Sequence, residues 1–212
     1  MGFREKKRAT TPQGTWRTAR SPGPMLHAAP GPLSQRRLRL FAIACCRSLY
    51  GQRQDWAGYL EIMQLAELIA DSDTENRLTE LSKQAVPYRS VAYPHGVIHV
   101  LAEDARRAAD AWTNMVGLES GELNHLADLL REIAGNPFVP IPFDQSLAAW
   151  RDGTIPKLAQ ACYDSNDFSM IGILADALEE AGCNEPTILE HARSKQAHYR
   201  GCWMVDLILG AE

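Results

Sequence analysis

Long apolar runs are what this sequence most conspicuously lacks: the longest strictly apolar stretch is Leu40 to Cys46, against the roughly 20 residues that a bilayer span requires. No membrane-spanning helix is expected, and no membrane partner. The charged start, Met1 to Thr10, is followed by no apolar stretch of the kind a secretion signal needs, so the expected location is the cytoplasm. Cysteine is sparse. The five present (Cys45, Cys46, Cys162, Cys183, Cys202) are odd in number and two are adjacent, a pattern that suits reduced thiols rather than a framework of disulfides. The fifteen glycines form neither a phosphate loop nor a dinucleotide fingerprint. Alternating apolar and polar runs long enough for a strand are missing too, as is any fixed repeat period.

What is present is enough for a core. With 212 residues, 45% hydrophobic and 23% charged, the composition is that of a folded protein of one domain or two small ones. A chain of this size buries about 70% of its unfolded surface. The net charge of -4 hides a division: residues 1–47 hold ten Lys or Arg against one acid, Glu5, for +9, and the remainder carries -13. Such asymmetry suits a basic segment that meets an acidic partner, a nucleic acid, or the acidic body of its own chain. Intramolecular contact is the simplest of the three. Arg4, Lys6, Lys7 and Arg8 have no interleaved aromatics, so nothing beyond weak nucleic-acid contacts of this basic arm is expected.

Proline and threonine are dense in residues 1–33, where apolar periodicity is slight, and the stretch reads as a mobile or loosely docked arm with Trp16 and Pro24 to Leu26 as its packing points. From Ser34 the period turns helical. Ser34 can cap a helix with Leu38, Phe41, Ala42, Cys45 and Leu49 on one face and Leu40, Ile43 and Ala44 on the other, which makes it a central element. Further helices follow through Trp56 to Ala70 and from about Asp73 to Val86, where Pro87 should stop the chain. Leu101, Ala105, Ala108, Ala109 and Trp112 form a stripe of small residues filled by one ring, and Leu123 to Ile133 make another helix that Gly135 ends. Pro137 to Pro142 reads as an extended connector.

Beyond the connector a second helical lobe is expected. Thr154 and Asp167 are candidate caps, Gly182 a terminator, Pro186 a first-turn residue, and Trp203 to Leu209 a final apolar helix interrupted only by Asp206. The fold class is therefore all-α: a basic arm at 1–33, a multi-helix bundle at 34–136 and a smaller C-terminal lobe at 137–212 packed on it.

Chemistry-bearing residues gather near the C-terminus: His191, Arg193, His198, Arg200, Cys202 and Asp206. A zinc reading would combine Cys183, His191, His198 and Cys202. Its spacing is poor. Seven residues separate Cys183 from His191, six the two histidines and three His198 from Cys202, whereas structural zinc sites draw on close ligand pairs. Metal binding is therefore not expected, and neither is any cofactor. Pairing Cys202 with His198 as nucleophile and base lacks a third group on the far side of the imidazole, since Asp206 lies beyond Cys202. No catalytic residue is assigned. Asp206, isolated among apolar residues, needs hydrogen-bond donors, for which Arg200, Arg193 and His198 are the candidates. His95, His99 and Glu103 would share a face only if a helix began at His95, and Pro94 and Gly96 leave that start open. Arg106 and Arg107 beside Glu103 and Asp104 read as a solvated face with short-range ion pairs.

Several stretches together carry a resemblance: Arg37 to Ala42 continuing through Cys45, Cys46 and Arg47; Leu130 to Ile133 with Gly135 to Phe138; Ile173 to Cys183; and His198 to Trp203 followed by Asp206 and Leu207. They resemble an uncharacterised bacterial domain family abundant in planctomycetes, over most of the chain from about Trp16. The resemblance implies a cytoplasmic helical domain and assigns no activity, cofactor or catalytic residue. Many members begin with a short helix before the RLRLF stretch, where this chain has the proline-rich Ser21 to Pro32. The function expected is a non-catalytic interaction or accessory module that holds a protein partner on helix faces or in a groove between lobes. The alternative is an enzyme or anionic-ligand domain using the C-terminal cluster, with Arg193 and Arg200 as anion clamps and His198 as acid or base.

Overall fold

Apolar residues that recur every three to four positions can be buried only by packing helix on helix, and that is the architecture found. The computed structural model describes residues 11–50, 57–72, 75–89, 97–113 and 120–211. Among them run α1 (Pro12–Thr18), α2 (Pro22–Ala28), α3 (Gln35–Tyr50), α4 (Ala57–Ala70), α5 (Glu75–Arg89), α6 (Ala105–Thr113) and α7 (Ser120–Ala134). Then come α8 (Thr154–Ser165), α9 (Ile171–Glu180), α10 (Pro186–Ala192) and α11 (Trp203–Leu209), with short 3₁₀ segments at Val97–Leu101 and Gln145–Ala149. No strand occurs among the described residues.

Helix α3 is the axis of the first core. The Ser34 hydroxyl accepts the Arg37 backbone N–H at 3.2 Å, and every residue from Leu38 to Cys46 is buried, whichever face it occupies. Such all-round burial requires neighbours on every side, and α4, α6 and α7 supply them. The small face of α6 (Ala105, Ala108, Ala109) lets α3 approach closely, and Trp112 closes the end of the stripe. This core extends from Trp16 to Ala134 in sequence, and a second, from Leu147 to Ile208, is built on α8, α9, α10 and α11. Between them Asn136 to Pro142 runs as turn and extended chain, with Phe138 against the first core and Ile141 against the second.

Three local expectations are corrected. Residues 11–32 are not a loose arm: α1 and α2 are two proline-started helices, with Trp16 and Met25 buried in the first core. The Trp16 indole N–H donates to the Gly135 carbonyl at 3.0 Å, and Arg131 donates to the carbonyls of Trp16 and Ala19. Trp16 and the Pro24 to Leu26 stretch are the packing points of this segment, as expected, and the prolines that suggest a loosely docked arm stand at first-turn positions, where they fit helix entry. Helix α5 passes Pro87 and ends at Arg89, two residues beyond it. The caps of the second lobe also differ. Gly153, not Thr154, caps α8, and Asp167 accepts the Ser169 N–H in the turn before α9 rather than at its start.

Two glycines let the cores meet. Gly201, at φ +89°, would place a Cβ 2.8 Å from Leu40 Cδ1 and 3.0 Å from Leu40 Cβ. Gly135, at φ +63°, would place one 3.1 Å from Trp203 Cγ. Each supplies a left-handed residue and the absence of a side chain where the last segment crosses the bundle.

Candidate functional site

The C-terminal polar residues separate into two systems, with Arg193 apart from both. The first is a ladder of alternating charges. Asp206, in α11 and fully buried, accepts two hydrogen bonds from the Arg36 guanidinium at 2.6 and 3.0 Å. Arg36 also donates to Asp71 at 3.0 Å, Asp71 accepts Arg200 at 2.9 Å, and Arg200 lies 3.8 Å from Glu67, which accepts Arg47 at 2.6 Å. Tyr163 of α8 donates to Asp71 at 2.5 Å and lies under the Arg200 guanidinium, 4.3 Å from the ring centre. Three cations and three anions thus run from α3 and α4 to α11 and compensate one another.

Burial shapes their ionisation. It lifts the Asp206 carboxyl above its usual range, against the pull of Arg36. It likewise works against the Arg36 charge, but the hydrogen bonds and attraction of Asp206 overcome it and hold the guanidinium above its ordinary value. Burial raises the Tyr163 hydroxyl as well, leaving it a donor. These groups form a fixed, neutral network that is suited to fastening helices.

The second system is a cluster of four side chains brought together from distant positions. Glu132 stands in the last turn of α7, His191 near the end of α10, His198 in the segment between helices, and Cys202 at the N-cap of α11. Glu132 Oε1 lies 3.1 Å from His198 Nδ1, and its Oε2 lies 3.3 Å from His191 Nε2 without the alignment of a hydrogen bond. The Cys202 thiol is 3.2 Å from His191 Nε2 and 4.0 Å from His198 Nδ1. One possible ligand atom from each residue falls within 4.8 Å of all the others.

All four are sheltered: side-chain exposure is 9% for His191, 4% for His198 and 3% for Glu132, and Cys202 is fully buried. Burial lowers the His191 imidazole to about 4, opposed by Glu132 and reinforced by His198. It pushes the Cys202 thiol well up, helped by the negative Glu132. The Trp203 indole donates to His191 Nδ1 at 3.3 Å, so the neutral ring carries its proton on Nε2. A thiol in this state is a poor nucleophile. Glu132 Oε2 and His198 Nε2 are buried without hydrogen-bond partners.

Of the six residues picked from sequence, the structure brings His191, His198 and Cys202 together and sends the others elsewhere. Asp206 meets Arg36, not Arg193, Arg200 or His198. Arg200 serves the ladder, and the exposed Arg193 pairs with Glu179 at 2.6 Å and Asp176 at 3.2 Å. Neither Arg193 nor Arg200 is left to clamp an anion beside His198. Cys183 is buried in the second core and lies outside the cluster, and Glu132 occupies the fourth corner instead. His95 and Arg4 to Arg8 lie outside the described residues; His99 is exposed in the first 3₁₀ segment. The solvated ion pair on α6 is Arg106 with Asp110 at 2.8 Å.

Glu132, Arg36, Asp71, Tyr163 and Glu67 were not singled out from sequence. Asp206 did carry a signal, because an acid inside an apolar run demands a cation, but only tertiary packing selects which. Glu132 carried none beyond its place in the Leu130 to Ile133 stretch, since an acid near a helix end ordinarily faces solvent.

A cleft of about 430 Å³ passes the cluster where the two cores meet. Trp16 and Arg131 wall it on the bundle side, Thr187, Gln196 and Trp203 on the lobe side, and edges of Glu132 and His191 contribute to its lining. No helix among the described residues is long and apolar enough to cross a membrane. Compared with known proteins, the chain matches no family model, no curated protein and no solved structure.

Proposed function

We propose that this chain is a non-catalytic helical module of the cytoplasm that holds a protein partner in the cleft between its bundle and its C-terminal lobe. One observation carries the reading: the groups able to do chemistry are turned inward and engaged with one another. Cys202 and Asp206 are fully buried, and the arginines nearest them are committed to the ladder. What remains for a ligand is a cleft whose lining mixes the apolar Trp16, Ile141 and Trp203 with polar side chains, the composition of a protein-binding surface. The motif resemblance to bacterial helical domains without assigned chemistry points the same way.

The competing reading, an enzyme or anion-binding domain, draws on the edges of Glu132 and His191 that reach the cleft wall. Two arginines line the same cleft, Arg17 and Arg131, and of these Arg131 is already engaged with Asp128 and with the carbonyls of Trp16 and Ala19. The test places a photo-crosslinking amino acid at Thr187 or Gln196, and at Ile173 as an exposed control. The expected result is one polypeptide captured from both cleft positions, which then binds the purified chain and fails to bind a folded Gln196→Arg variant. Equal capture from Ile173, or retained binding by that variant, would overturn the reading.

A further inference from the structure

The cluster of Glu132, His191, His198 and Cys202 is more than a set of mutually satisfied polar groups. Its carboxylate is 3% exposed, and the ion-pair partners shown for it are two imidazoles. Its Oε2 stands 3.3 Å from His191 Nε2 without the alignment of a hydrogen bond. A buried anion left in this state is costly, unless something positive belongs between the four groups.

We propose that these four side chains bind one divalent transition-metal ion of the zinc class, which fastens the C-terminal segment to α7. Zinc bonds of about 2.0–2.3 Å to nitrogen, oxygen and sulfur give tetrahedron edges of roughly 3.3–3.8 Å. The two Glu132 oxygens lie 3.1 and 3.3 Å from the imidazole nitrogens, and the Cys202 sulfur lies 3.2 and 4.0 Å from them. One donor atom from each residue falls within 4.8 Å of the others, a spread that a small side-chain contraction brings to that range. Two imidazoles, a thiolate and a carboxylate are a donor set that zinc accepts. Charge closes as well: Zn²⁺ with one carboxylate, one thiolate and two neutral imidazoles sums to zero, and the thiol proton leaves to solvent as the ion enters. The objection from spacing disappears, because the fourth ligand is Glu132 on another helix rather than Cys183.

Binding makes one demand on the surroundings. His191 must present a bare Nε2, so its proton moves to Nδ1, where Gln196 stands at 3.5 Å. With its amide reversed, the Gln196 oxygen accepts a hydrogen bond from that Nδ1–H. Trp203, at the cleft wall, then releases His191 and turns its N–H to water. Four protein ligands and a fully buried sulfur describe a closed site, so the ion's role is structural. The inference does not depend on the partner proposed above.

The test uses the intact chain purified without chelators and desalted, with metal content measured by plasma mass spectrometry. One zinc per chain is expected. Chelated protein titrated with Co²⁺ should give the intense visible bands of a tetrahedral site with a thiolate-to-cobalt band in the near ultraviolet. Zinc added back should raise the unfolding temperature and change tryptophan emission. Cys202→Ser should lose the thiolate band and His198→Gln the bound metal, whereas Cys183→Ser should retain both. Should a ligand variant fail to fold, the wild-type Co²⁺ spectrum decides alone. Trace metal with no Co²⁺ spectrum and no thermal shift would overturn the proposal, as would loss of the thiolate band in Cys183→Ser.

Discussion

Truncating Asp206 to alanine removes one end of the charge ladder and leaves the Arg36 guanidinium, 14% exposed, without its bidentate partner. Breaking a buried pair from one side costs about 3–5 kcal/mol, because the remaining charge stays desolvated. Arg36 keeps Asp71 and Tyr163 as partners, so the lower end applies, about 3 kcal/mol. For a chain of this length each kcal/mol moves the melting temperature by about 2–4 °C, which gives a fall of about 6–12 °C. Urea unfolding should show a lower midpoint with an unchanged slope, since the surface exposed on unfolding is the same. Replacing both partners by apolar residues, Arg36→Met with Asp206→Leu, should recover most of the loss, because neither charge is then stranded. A cost below about 1 kcal/mol for Asp206→Ala, the range of exposed ion pairs, would refute the reasoning.

Gly201→Ala should destabilise by about 2 kcal/mol or more, from left-handed strain of about 1–2 kcal/mol plus displacement of Leu40, and thermal unfolding measures it. Trp16→Ala should cost about 3 kcal/mol, the low end for a buried tryptophan, and should expose α1 to limited proteolysis. Arg193→Ala, by contrast, removes only exposed contacts to Asp176 and Glu179 and should leave the unfolding midpoint where it is.

How far the sequence reveals this molecule depends on whether the governing interaction is local. Helix α3 was legible because its burial follows from a run of apolar residues and one serine cap. The exit of α7 at Gly135 was legible because a left-handed glycine is a local requirement. The docking of α1 and α2 was not, since it depends on Trp16 reaching the Gly135 carbonyl 119 positions away. The site divides in the same manner. His191, His198 and Cys202 are close in sequence and were found together, whereas Glu132 joins them across more than fifty residues and Arg36 reaches Asp206 across 170. Long-range pairing of charges leaves no periodic trace in either partner's neighbourhood.

Underlying all of this is the claim that inward-facing polar groups bind the last helix to the bundle so that the two cores act as one. Native-state hydrogen exchange reads that coupling. Amides of Ile133 and Ala134 in α7 and of Ile208 and Leu209 in α11 should open with the same free energy and the same denaturant dependence, and Asp206→Ala should split them. Independent, lower-energy opening of α11 in the wild-type chain would contradict the account.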